Sequence, residues 1–138
     1  MRNVVFVLLG LISALLGACA QHEGNTPSPA APVVVAAEAR SYVDAVQAHN
    51  LDALVNSFTE DAVVVDVGRR IAGRNRIRQW AQDEVIGGRI EVLGRTPMAD
   101  GEDLLVRFAP GGRGRGFEAH YQFTYHDGRI AHADLTYA

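Results

Sequence analysis

The chain has 138 residues and a formal net charge of −3, with 13 basic side chains against 16 acidic ones, a balance that argues against general nucleic-acid binding. Every basic residue is an arginine, so neither a Schiff-base lysine nor the lysine of a phosphate-binding loop is present. Cys19 is the only cysteine, which excludes an internal disulfide and, once Cys19 is modified, a thiol nucleophile or thiolate metal site.

Met1 and Arg2 precede an apolar run over residues 4–16, followed by Gly17, Ala18 and Cys19. The run is shorter than the roughly 20 apolar residues of a spanning helix and has the layout of a secretory signal. Its end resembles a bacterial lipobox, which implies cleavage before Cys19 and lipidation of that residue. Residues 1–18 then form a lipoprotein signal peptide. Several acyl chains on one residue anchor firmly, at about 0.8 kcal/mol per buried CH₂. Ala20 in place of an aspartate favours, by resemblance to Gram-negative lipoproteins, the periplasmic side of the outer membrane. Residues 19–32 are rich in polar residues and proline, with almost nothing to bury, and read as a lipidated disordered tether. Residues 33–138 suffice for one domain.

Val35, Ala39, Tyr42, Val43 and Val46 recur at helical spacing. His49-Asn50 interrupts the pattern, and Asn50 or Asp52 can cap a second short helix with Leu51, Leu54, Val55 and Phe58 inward. Residues 61–67 are a β-branched run typical of a buried strand. Ile71 lies in a short return segment. A third helix is expected over residues 75–86, with Ile77, Trp80, Ala81 and Val85 on one face and Gly87-Gly88 at its end.

Strands follow near residues 89–96, 103–109, 117–125 and 129–137, with connections at 97–101 and 111–116 and a tight hairpin at Asp127-Gly128. In the last hairpin, a three-residue loop places Phe117, Ala119, Tyr121, Phe123 and Tyr125 on one face with Ala131, Ala133, Leu135 and Tyr137. A two-residue loop pairs them with Ile130, His132, Asp134 and Thr136 instead, and the apolar match favours the first. Helices first and a meander afterwards give an α+β order, N-terminal helices packed on a curved, mostly antiparallel sheet.

Asp66 shares its strand face with Ala62 and Val64. Two readings stand: a carboxylate desolvated among apolar neighbours, hence a better base near neutrality, or an organiser of the turn at Gly68. Tyr42 and Trp80 lie on apolar helix faces, where core packing is the ordinary role, and Trp80 can also wall a pocket. His120, His132 and Asp134 fall on the face opposite the aromatic one and read as a solvated or dimer-facing side, not a metal site. Residues 111–116 alternate Gly and Arg, but they lead into a strand and lack the helix N-terminus that binds phosphate. No serine has a nucleophile-elbow context. No cofactor is expected.

The series Tyr42-Val43-Asp44-Ala45-Val46, Asn50-Leu51-Asp52-Ala53-Leu54 and Phe58-Thr59-Glu60-Asp61-Ala62-Val63, continued by Gly68, Gly73, Ile77 and Asp127-Gly128-Arg129-Ile130, resembles the nuclear transport factor 2-like superfamily. The SnoaL-like and ketosteroid-isomerase-like branches are nearest, and the resemblance covers nearly all of residues 33–138. It implies a cone with a pocket between helices and sheet, and a homodimer. By the same resemblance Asp66 matches a general-base aspartate and Tyr42 an oxyanion-donating tyrosine. Tyr121 stands where the isomerases carry a protonated aspartic acid, a departure from the steroid-isomerase pattern that still leaves a hydrogen-bond donor at that position. Trp80, Phe117, Phe123 and Tyr137 are the candidate pocket lining.

Two functions follow. One is an envelope-tethered, non-catalytic module that binds a small apolar ligand. The other is an isomerase- or cyclase-type enzyme in which Asp66 moves a proton and Tyr42, with Tyr121, steadies an oxyanion.

Overall fold

The computed structural model describes residues 27–138. The signal peptide, Cys19 and the first part of the tether lie outside the described residues. Two helices open the fold, α1 (Ala37–Gln47) and α2 (Leu51–Asn56), followed by β1 (Phe58–Asp66) and β2 (Arg69–Ala72). Then come α3 (Arg74–Trp80), prolonged by a π-helical turn at Ala81–Val85, and the strands β3 (Arg89–Met98), β4 (Gly101–Ala109), β5 (Phe117–His126) and β6 (Arg129–Tyr137). Among the described residues no helix is long and apolar enough to cross a membrane.

The six strands form one mixed sheet in the order β2-β1-β6-β5-β4-β3. All pairings are antiparallel except β1 with β6, which is parallel. The meander β3–β6 thus receives β1 beside its last strand. The inner face alternates as the pleat requires: Leu104, Val106 and Phe108 on β4, Ala119, Tyr121 and Phe123 on β5, Ala62 and Val64 on β1, all buried. Against this face α1 lays Ala39, Tyr42, Val43 and Val46. Asn50 caps α2, its Oδ1 accepting from the Ala53 N–H at 2.9 Å, and Leu54 fills the core beneath.

Phe58, expected on the inner face of the second helix, is instead the first residue of β1 and pairs with Ile130. Three further features depart from the sequence reading. The connection expected over residues 97–101 shrinks to Ala99-Asp100, because β3 and β4 pair as far as Met98 and Gly101. Pro97 is tolerated there because β3 is an edge strand. Gly101 is required, since a Cβ at that position would collide with the Phe123 carbonyl. Secondly, the third helix keeps α geometry only to Trp80, after which the Ile86 N–H reaches the Ala81 carbonyl at 2.8 Å, a five-residue step.

Thirdly, the last hairpin combines the two registers considered above. Its turn has two residues, Asp127 at φ 50° and Gly128 at φ 73°, the positive pair such turns need. His126 pairs with Arg129 and Tyr125 with Ile130, but Thr124 pairs with His132, so Ala131 is an extra, bulged residue. Beyond the bulge Phe123, Tyr121 and Ala119 meet Ala133, Leu135 and Tyr137. Ile130, not Ala131, is the residue buried near the turn.

His120, His132 and Asp134 lie on the outer side of the sheet. The Nδ1 of His120 sits 3.1 Å from the Asp103 carboxylate. Among the described residues no group of three metal-donating side chains converges.

Candidate functional site

Beyond α1 and α2, the inner face of the sheet is covered by α3 and its π-helical turn, and a cleft of about 160 Å³ remains between them. Trp80 and Val85 form its helical wall, and Phe108, Ala119, Tyr121 and Leu135 its sheet wall. Asp66, the last residue of β1, enters from one side because the pleat sends it inward with Ala62 and Val64. The π turn sets Val85 into the core while leaving Glu84 at the edge of the cleft.

The Asp66 carboxylate is compensated, not isolated among apolar groups. Its Oδ2 accepts from the Trp80 indole N–H at 3.1 Å and from Arg69 Nη2 at 2.7 Å. The same Arg69 nitrogen donates to Glu84 Oε2 at 2.7 Å. Those two acceptors, Glu84 first and then Asp66, push the guanidinium pKa up. A chain of contacts therefore laces the end of β1 and the start of β2 to the π turn.

Behind the cleft the aromatic rings form a packed cluster. Tyr121 reaches the cleft wall while being only 6% exposed. Tyr42 packs edge-on behind it, with ring centres 6.2 Å apart, and also against Phe123 at 5.4 Å and Phe58 at 5.9 Å. Burial raises the pKa of both phenols. The Tyr42 phenol is pushed up further by Tyr121 and Asp66, and the Tyr121 phenol by Asp66. Both are proton donors at neutral pH.

Of the residues singled out from sequence, Asp66, Trp80, Tyr121, Phe117 and Tyr137 line this one cleft. Tyr42 and Phe123 do not: they are buried in the core one layer behind Tyr121. Phe117 and Tyr137 stand at the mouth, 38% and 64% exposed, with rings 5.2 Å apart. Cys19 is outside the described residues.

Sequence reasoning missed three charged residues. Arg69 faces Asp66 across the β1–β2 turn as its ladder partner, a signal available once that hairpin is drawn. Glu84 depends on the π turn, which has no sequence signature here. Glu102 is fully buried at the other end of β4. It is bonded by the Arg95 guanidinium, the Tyr125 hydroxyl at 2.7 Å and the Ala36 N–H at 3.0 Å.

The sequence matches the family described as SnoaL-like domain over residues 39–133. Among solved structures, a candidate polyketide cyclase from Sinorhizobium meliloti is 29% identical, with a TM-score of 0.63 over 72% of this chain and 93% of that one. A Mycobacterium tuberculosis protein in complex with estradiol-17β-hemisuccinate is 13% identical, with a TM-score of 0.63 over 73% and 91%. A candidate ketosteroid isomerase from Kribbella flavida is 16% identical, with a TM-score of 0.63 over 74% and 76%. No curated protein sequence matches the chain. The cone of helices on a curved six-stranded sheet and the match across residues 39–133 agree, and the chain belongs to the SnoaL-like domain family of the nuclear transport factor 2-like superfamily.

Proposed function

We propose that this SnoaL-like domain binds a small, largely apolar ligand in the cleft under α3, and that lipidation of Cys19 holds it at the cell envelope. The observation that carries the reading is the cleft itself. Its walls are aromatic and aliphatic, broken by a few polar groups that can orient a ligand: Asp66, Glu84, Tyr121 and Thr136. The Tyr121 hydroxyl has no hydrogen-bond partner among the described residues and so is a donor in waiting. A distant relative of the same fold holds a steroid ester, which supports a ligand of that size class.

Trp80 is the only tryptophan and lines the cleft, so its emission reports occupancy. Titration of the purified chain with a neutral steroid should shift that emission saturably. Unchanged emission with the steroid and with smaller apolar probes alike would remove the reading.

The catalytic alternative draws on Asp66 and Tyr121 facing the same space. In that alternative Asp66 would take a proton through the oxygen not engaged by Trp80 and Arg69, and Tyr121 would donate to the developing oxyanion. Tyr42 would act through its contact with Tyr121 instead of touching the substrate. The engagement of Asp66 Oδ2 by two donors weighs toward binding.

A further inference from the structure

The charged side chains that line the cleft are both acidic, Asp66 and Glu84, and none of the arginines of the described residues lines it. Their carboxylates share a single cation. Nη2 of Arg69 is 2.7 Å from each, and it reaches them from outside, with 55% of its side chain exposed. One guanidinium against two carboxylates leaves a negative charge at the cleft wall. Arg70 and Arg76 do not neutralise it: they line the neighbouring groove, which shares Arg69, Trp80 and Glu84 with this site, but among the described residues only Arg69 forms an ion pair with Asp66 or Glu84.

Around the two acids stand the rings of Trp80, Phe108, Phe117 and Tyr121. A cation is stabilised over such faces, most over tryptophan and tyrosine. The Tyr121 side chain is more than nine-tenths buried on this wall, and its hydroxyl, without a partner among the described residues, can accept from an ammonium N–H. The cleft thus offers an apolar body a place to lie and offers a positive head group two carboxylates, aromatic faces and a phenol oxygen. An anionic head group would meet two like charges, and a neutral one would leave Arg69 in place and gain apolar contact and a hydrogen bond but no ion pair.

We infer that the cleft selects an amphipathic amine, an apolar body carrying one protonated nitrogen, whose ammonium replaces the Arg69 guanidinium between Asp66 and Glu84. The inference rests on the ligand-binding reading above and adds the head group to it. Arg69 is then a resident competitor, which ligand binding displaces into solvent.

Three adamantanes separate the possibilities, because 1-aminoadamantane, 1-adamantanol and adamantane-1-carboxylate share one apolar cage and differ in head group. With the purified full-length chain and Trp80 emission as readout, the amine should bind about tenfold more tightly than the alcohol, the scale of an exposed ion pair plus a cation–π contact. The carboxylate should bind least. Arg69→Gln should strengthen amine binding by removing the competitor, and Glu84→Gln should weaken it toward the alcohol. Both side chains are substantially exposed, 55% and 44%, so the variants should fold. Equal binding of amine and alcohol, tightest binding of the carboxylate, or an Arg69→Gln variant that loses amine affinity would overturn the inference while leaving a ligand-binding cleft. Failure of all three compounds to bind would overturn the inference, and would overturn the ligand-binding reading too where the neutral steroid also leaves Trp80 emission unchanged.

Discussion

Trp80 donates its indole N–H to Asp66 at 3.1 Å, and this bond joins α3 to the end of β1 at the side of the cleft. The acceptor oxygen is also the one that Arg69 holds, so the carboxylate orientation is fixed by two donors of different exposure: Trp80 is buried, Arg69 is in solvent. Asp66→Asn keeps an oxygen for the indole and removes only the charge. Because exposed ion pairs contribute little, the melting temperature should hardly move, and a neutral steroid should bind as before. If the domain is an enzyme, the same variant should abolish turnover while retaining binding. Thermal denaturation paired with titration and an activity screen separates these outcomes. A large loss of stability would show that the Arg69–Asp66 contact carries more than its exposure allows.

Tyr121 and Tyr42 lie in contact but at different depths, and their phenylalanine variants should differ accordingly. Tyr121→Phe removes a hydroxyl from the cleft wall and should weaken a ligand that bonds to it by about 1 kcal/mol, the net worth of a typical hydrogen bond. Tyr42→Phe keeps the ring packing against Phe58, Tyr121 and Phe123 and should leave ligand affinity unchanged. Burial disfavours the phenolate of Tyr121, raising its pKa above the ordinary tyrosine value of 10.0. Affinity that depends on its proton should therefore stay flat as pH rises to about 10. Loss of affinity in Tyr42→Phe equal to that in Tyr121→Phe would place Tyr42 on the cleft wall.

The order of elements was legible because helical and alternating periodicities are local properties. Parity along β1 groups Asp66 with Ala62 and Val64, but the opposite face of that run, Val63, Val65 and Val67, is equally apolar, so its inward direction was implied only by the family resemblance. What periodicity does not contain is depth. Tyr42 lies on the inward face of α1 and Phe123 on the inner face of β5, but only the packed structure shows Tyr121 standing between Tyr42 and the cleft. Glu102 is in phase with Leu104, Val106 and Phe108, so its burial was implicit in the alternation. The strand expected from residue 103 begins one residue past it, and its partners Ala36, Arg95 and Tyr125 come from three other parts of the chain. The bulge at Ala131 and the π turn at Ala81–Val85 each insert a local irregularity that neither a period of 2 nor one of 3.6 foresees.

Cys19 carries the localisation part of the proposal, and its test is independent of the cleft. Cys19→Ser should yield protein that is soluble or retains its leader, whereas the parent should fractionate with membranes and gain the mass of its acyl chains. Membrane fractionation of the Ser variant with unchanged processing would remove lipid anchoring from the reading and leave the domain's own binding properties untouched.

Glu102 gives the stability prediction with the clearest sign. Burial on its own would raise its pKa, but the bonds from Arg95, Tyr125 and the Ala36 N–H outweigh that effect and hold the carboxyl below its ordinary value of 4.5. A depressed carboxyl binds its proton less readily in the folded state than in the unfolded one. Its contribution is therefore present above the ordinary value and is lost as pH falls through the folded value. Glu102→Gln retains an oxygen for Tyr125 and Ala36 but loses the charge that faces Arg95. Hydrogen bonds to charged groups contribute roughly 1.5–3 kcal/mol, so a loss of about 2 kcal/mol is expected at neutral pH. The larger penalty of breaking a fully buried pair should not appear, because the Arg95 side chain is 35% exposed and can rehydrate. Tyr125→Phe, which removes one of the three donors, should cost about 1 kcal/mol. Urea unfolding of parent and variants at pH 7 and again below pH 4.5 measures both quantities, and the gap between parent and Glu102→Gln should narrow at the lower pH. A gap that stays constant or widens as the solution is acidified would mean that the charge of Glu102 does not hold the first helix to the sheet.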